Sequence, residues 1–89
     1  MATPRPITEP LADVYVIRWH HKDQLKPRNN RFTSQQRHIY RQRQALGQVV
    51  LVACIYTDRV WELGHWAAPC FNSFKEMYDF YRDYTMEIE

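Results

Sequence analysis

Residues 48–57 read QVVLVACIYT, a run that is apolar on both of its alternations. A strand sends successive side chains to opposite faces, so a run apolar in both registers has to be covered on both sides. That requirement sets the plan of the molecule: a central strand, a sheet around it, and cover above and below. A chain of 89 residues has room for one such core and not for a second. Three Trp, six Tyr and four Phe supply enough buried area to build that core without metal or disulfide staples. Only two glycines are present, which argues against a disordered chain.

The segments around this run predict what covers it. DVYVIRWHHK, residues 13–22, reads as a first strand with Tyr15, Ile17 and Trp19 on one face and Val14, Val16, Arg18 and His20 on the other. QLKPRNNRF is a loop broken by Pro27 and the Asn pair. Thr33 or Ser34 can cap a helix that runs to about Leu46, where Gly47 ends it. Phe32, Ile39 and Leu46 recur every seven residues as a narrow apolar seam, opposite Arg37, Arg41 and Gln44. Thr57-Asp58-Arg59 is a turn leading into VWELGHW, a third strand paired as a hairpin. A second helix is expected over 73–86, with Ser73 and Glu76 at capping-box spacing. Phe74, Met77, Tyr78, Tyr81, Tyr84 and Ile88 share one arc of that helix, and the first four are expected to be buried. The order is β-α-β-β-α, a single small α+β domain over 13–89 whose three-stranded sheet is packed by two helices. Whether the first two strands run parallel stays open. Residues 1–12, with Pro4, Pro6 and Pro10, form an extended lead-in.

The charge is distributed unevenly. The net charge is only +2, yet no acid occurs between Asp23 and Asp58. Residues 28–44, RNNRFTSQQRHIYRQRQ, carry five arginines in that gap. The C-terminal residues 58–89 hold seven acids against three basic residues. Arginine forks match phosphate oxygens, and Asn and Gln reach bases or sugars. Lys26, Arg28, Arg31, Arg37, His38, Arg41 and Arg43 are therefore the candidate basic binding surface, with Phe32, His38 and Tyr40 available to stack on unpaired bases. The competing explanation is a solvated helix face whose arginines pair with the acidic half of the same chain. Glu76, Asp79, Asp83 and Glu87 lie together on the second helix as an acidic surface, either plain solvated face or a dock for a basic partner. Trp61 and Trp66 fall on opposite faces of an extended strand, which leaves Trp66 the better candidate for an exposed aromatic anchor.

Other chemistries find little support. His20 and His21 are adjacent, so a strand would point them to opposite sides, and His65 and Cys70 lie five apart across Pro69. Neither arrangement has zinc spacing, and no metal or cofactor is expected. Cys70 precedes the second helix, where a thiol could be activated, but His65 is the one nearby base. No Gly-rich phosphate loop or nucleophile elbow is present, and no catalytic residue is assigned. Cys54 reads as a free buried thiol, a Cys54–Cys70 disulfide being the alternative. No apolar run reaches membrane-spanning length and the N-terminal residues lack a signal-peptide core, so a cytoplasmic protein without membrane contact is expected.

Three functions remain in order. The first is a non-enzymatic binding or inhibitory protein whose segment 26–43 engages nucleic acid, or the nucleic-acid site of a nucleoprotein machine. The second is an adaptor or homodimer that uses the acidic helix and exposed aromatics, or binds an acidic protein surface through the basic segment. An enzyme built on Cys70 and His65 comes last. In small size, low glycine content, polarised charge and lack of a catalytic motif, the chain is similar to phage-encoded inhibitors of host defence such as anti-CRISPR proteins. That resemblance lies in size and charge, not in any run of residues. It implies stoichiometric blocking of a nucleic-acid-handling machine inside an infected host cell.

Overall fold

The computed structural model describes residues 13–22 and 31–89. The expected lead-in at 1–12, and Lys26 and Arg28 in the loop, lie outside the described residues. The elements run β1 (Asp13–Trp19), α1 (Ser34–Ala45), β2 (Val49–Cys54), β3 (Val60–Glu62), α2 (Phe74–Phe80) and β4 (Thr85–Ile88). They form an α+β arrangement of one sheet and two helices, with strand order β3-β2-β1-β4.

β2 is the central strand that its sequence requires. All six of its residues are buried. Val49, Leu51 and Ala53 join Val14, Val16, Val60, Phe71, Met77 and Tyr81 on the face covered by α2. Val50, Val52 and Cys54 join Tyr15, Ile17, Trp19 and Phe32 on the other face, under Ile39 and Tyr40 of α1. The first strand splits its faces as the alternation predicts. The direction left open by the sequence is parallel: Val14 pairs with Val49 and Trp19 with Cys54, and α1 is the crossover that such pairing needs. β2 and β3 form the expected antiparallel hairpin, with Val52 opposite Trp61. Cys54 and Cys70 are free and buried in clusters on opposite faces of the sheet, so the disulfide alternative is excluded.

Four expectations need correction. The sheet has four strands, because α2 stops at Phe80 and residues 85–88 pair in parallel with β1. Both faces of β1 are buried, so an unpaired second edge would leave backbone donors and acceptors unsatisfied beside the core. β4 supplies that pairing, and Glu89 continues it with its N–H donated to the carbonyl of Val16 at 2.9 Å. The helical reading failed because Tyr84 and Ile88, like Asp83 and Glu87, are four residues apart. A spacing of four fits one helix face and one strand face equally well.

Tyr78 is the second correction. Met77 and Tyr81 are each 1% exposed and Phe74 is half-buried, but Tyr78 is 47% exposed. Phe80 packs against Phe71 at 5.3 Å and Tyr81 at 4.9 Å, which turns the inward stripe of this short helix away from Tyr78. Leu46 is the third. It is 73% exposed, since α1 ends at Ala45 and Gly47, at φ +83°, redirects the chain toward β2. The fourth concerns strand ends. β1 stops at Trp19, β2 at Cys54 and β3 at Glu62, so Ile55 and Tyr56 lie in a turn and are exposed.

Candidate functional site: the outward face of the basic helix

α1 is held firmly enough to present a surface. Thr33 caps it: its Oγ1 accepts the Gln36 N–H at 3.0 Å, and the Gln36 Oε1 accepts the Thr33 N–H at 2.9 Å. This reciprocal pair satisfies two of the donors that a helix start leaves open. Phe32, just before the cap, is buried and makes edge contacts with Trp19 at 5.1 Å and Tyr40 at 5.7 Å. The helix is thereby anchored to the sheet through its aromatics. Of the two rings expected as platforms for bases, Phe32 is buried in the core and Tyr40 is half-buried against it. His38 stays exposed.

The two sides of α1 differ in charge balance. Beneath it, toward the sheet, Arg43 lays its guanidinium over the Tyr15 ring, 5.0 Å from the centroid. Its two terminal nitrogens meet the Glu87 carboxylate at 2.8 and 2.9 Å. Gln36 donates to both oxygens of the Glu89 side chain, at 3.1 and 3.0 Å. Glu87 of β4 and Glu89 just beyond it are therefore used on the underside of the helix. Burial, with Glu89 and Glu87 close by, raises the Tyr15 pKa above its ordinary value, while Arg43 opposes that shift.

On the solvent side, Ser34, His38, Arg41 and Ala45 follow one another along a single exposed row. Arg37, half-buried, and Gln44, exposed, flank that row at the spacing the sequence predicts. Arg41 forms no ion pair among the described residues. α1 carries no acid along its length. Arg31 is exposed just ahead of Phe32. The structure thus separates the candidate arginines: Arg37 and Arg41 ride the outer side of the helix, and Arg43 is drawn under it.

The acidic surface does not hold together. Glu76 and Asp79 are on α2, where Asp79 accepts from Lys75 at 2.8 Å. Asp83 lies in the following turn and Glu87 on β4 beside Arg43. Their single arc existed only for an unbroken helix. Trp66 is half-buried rather than an outlying anchor, and it shares a cluster with Trp61. Strict alternation lapses at Glu62, and the turn at Gly64, with φ +87°, carries Trp66 back onto the same face, 6.4 Å from Phe32.

The Cys70 side chain is enclosed in the α2-side core, 3% exposed, and the His65 imidazole faces Glu62 at 3.4 Å. A thiol so enclosed is inaccessible to substrate. Among the described residues no three His, Cys, Asp or Glu side chains gather as a metal site, and no helix is long and apolar enough to cross a membrane. A shallow depression lined by Gln42, Arg43, Ala45 and Leu46 offers one guanidinium, already tied to Glu87. Tyr56, which the sequence places within the central strand, lies in the turn after β2 and is exposed. The signal available was its place next to the Thr-Asp-Arg turn. No protein-family model, curated protein or solved structure matches the chain.

Proposed function

We propose that this is a non-enzymatic binding protein whose α1 presents its outer face to nucleic acid, free or within a nucleoprotein complex, and so occupies that site stoichiometrically. The observation that carries this reading is the segregation of charge around α1. Arg41 and His38 stand on an exposed face of a helix without acids, while Glu87 and Glu89 are held on its underside. A capped helix anchored by Phe32 offers these groups at low entropic cost, because the scaffold is already ordered. Arginine supplies the bidentate phosphate contact and Gln44, on the same flank, a neutral donor and acceptor.

Affinity capture from a cell lysate, with and without nuclease, tests the reading. Nucleic acid should co-purify with the protein, and whatever is captured through it should be lost on nuclease treatment. Capture that survives both nuclease and high salt would replace the reading with an adaptor whose interface depends on aromatic contacts.

A further inference from the structure

At the carboxyl ends of the parallel strands β1 and β2 the surface changes character. Ile55 is 41% and Tyr56 53% exposed, two large side chains left in solvent beside a well-packed core. Lys22, on the segment leaving β1, holds its ammonium 5.6 Å from the centroid of the Tyr56 ring. His20, two residues before Lys22, is exposed, and His21 stands edge-on to Trp19 at 5.0 Å. Arg59 is exposed at the far side of the turn. The acid of that turn, Asp58, uses its Oδ1 to accept the Phe74 N–H at 3.4 Å, at the start of α2. Cation and ring therefore meet here while the carboxylate of Asp58 is engaged at α2.

The frame under the ring is fixed. Ile55 donates to the Trp19 carbonyl at 3.2 Å, Asp58 to that of Cys54 at 3.0 Å, and Cys54 to that of Arg59 at 2.9 Å. Asp58 takes φ +64°, a conformation Asp tolerates better than most residues. The location matters as well. Ligands of open sheets with parallel strands gather outside the carboxyl ends of those strands. The first turn of α1 lies at the same end, joined through the Trp19–Phe32 contact.

We propose that Tyr56 and Lys22 form a stacking site for an unpaired base of single-stranded nucleic acid. The base lies on the Tyr56 ring and Lys22 contacts the adjoining phosphate. The ammonium sits near the ~6 Å limit for a cation over a ring, so its flexible stem can pass to a phosphate as a base takes the ring. Stacking on aromatic rings is sequence-tolerant, which fits a tyrosine ring exposed in a turn beside a lysine. This site deepens the reading of α1 as a polyanion-binding face and rests on it.

The experiment compares fluorescence anisotropy of labelled oligothymidine, oligouridine and a DNA duplex of equal length, at several salt concentrations. Tyr56→Ala should weaken single-strand binding about fivefold or more, the lower end of what one stacked base contributes. Tyr56→Phe should stay within about twofold of wild type, because it keeps the ring face. Neither change should affect the duplex. Lys22→Gln should reduce the single-strand salt slope by about 0.7, the loss of one phosphate contact. A Tyr56→Ala protein that binds single strands like wild type, or loses duplex affinity equally, overturns the site. So does a wild-type protein that binds neither single strand. The α1 reading is judged separately: it falls when Arg37→Glu with Arg41→Glu leaves duplex affinity unchanged.

Discussion

Arg41 and Arg43 are two residues apart on one helix, yet the structure gives them opposite consequences for stability. Arg43 is 28% exposed, engages Glu87 through both terminal nitrogens and covers the Tyr15 ring at 5.0 Å. Because Glu87 is 52% exposed, water screens the pair, and ~0.2–1 kcal/mol is the appropriate size. The contact with the tyrosine ring adds about 0.5–1 kcal/mol at such a site. Arg43→Ala should therefore cost about 0.7–2 kcal/mol in all, whereas Arg41→Ala should fall within about 0.5 kcal/mol of wild type. For a domain of this size, each kcal/mol lowers the thermal midpoint by roughly 4–8 °C. Thermal unfolding followed by circular dichroism reads both changes, and a double-mutant cycle with Glu87→Gln isolates the ion pair. The coupling should be about 0.2–1 kcal/mol and should shrink as salt is added. Equal costs for the two arginines, or zero coupling between Arg43 and Glu87, would refute the division of α1 into an inward and an outward basic side.

Two further outcomes check the core and its pH response. Met77→Ala, at 1% exposure, should cost about 2–5 kcal/mol in denaturant unfolding, while Tyr78→Ala, at 47% exposure, should cost far less. Similar losses for both would restore the longer helix stripe. The Tyr15 pKa is raised above 10.0 in the folded chain, chiefly by burial and then by Glu89 and Glu87. Its neutral form is thus favoured by folding, so that contribution is complete below pH 10 and is lost as pH rises through the folded value. Tyr15→Phe should flatten the alkaline limb of a stability–pH curve measured from pH 8 to 11, and an unchanged limb would contradict the assignment.

How much of the molecule was legible depends on which residues carried unambiguous periodicity. QVVLVACIYT announced a strand buried on both sides, and the 13–19 alternation placed Tyr15, Ile17 and Trp19 together. The Thr33 cap and the Gly47 stop were readable because their side-chain chemistry is local. β4 was not readable. Its pairing with β1 is a long-range demand of the β1 edge, and the four-residue spacings in 83–88 are shared by both regular structures. The same limit applied to the basic segment. Sequence placed Arg37 and Arg41 on one side of a helix, but it could not tell that Arg43 would find Glu87 beneath it. It placed Phe32 both in the apolar seam and among the rings available to bases, and could not choose between them, because packing on Trp19 and Trp66 depends on chain segments far away.

The central claim is that the outer face of α1 binds phosphates, and the salt dependence of nucleic-acid affinity measures that most directly. Wild-type protein and the Arg37→Glu, Arg41→Glu variant should be titrated against one duplex at several salt concentrations, after circular dichroism shows that both are folded. Each phosphate contact contributes about 0.9 to the slope of log affinity against log salt. The variant should therefore lose roughly two from the slope, and at least about tenfold in low-salt affinity, given the size of charge-assisted contacts. Reversal of Asp79 and Asp83 serves as the matched control and should leave the wild-type slope in place. A folded arginine variant with wild-type affinity and slope would contradict the account and leave the basic helix a solvated surface.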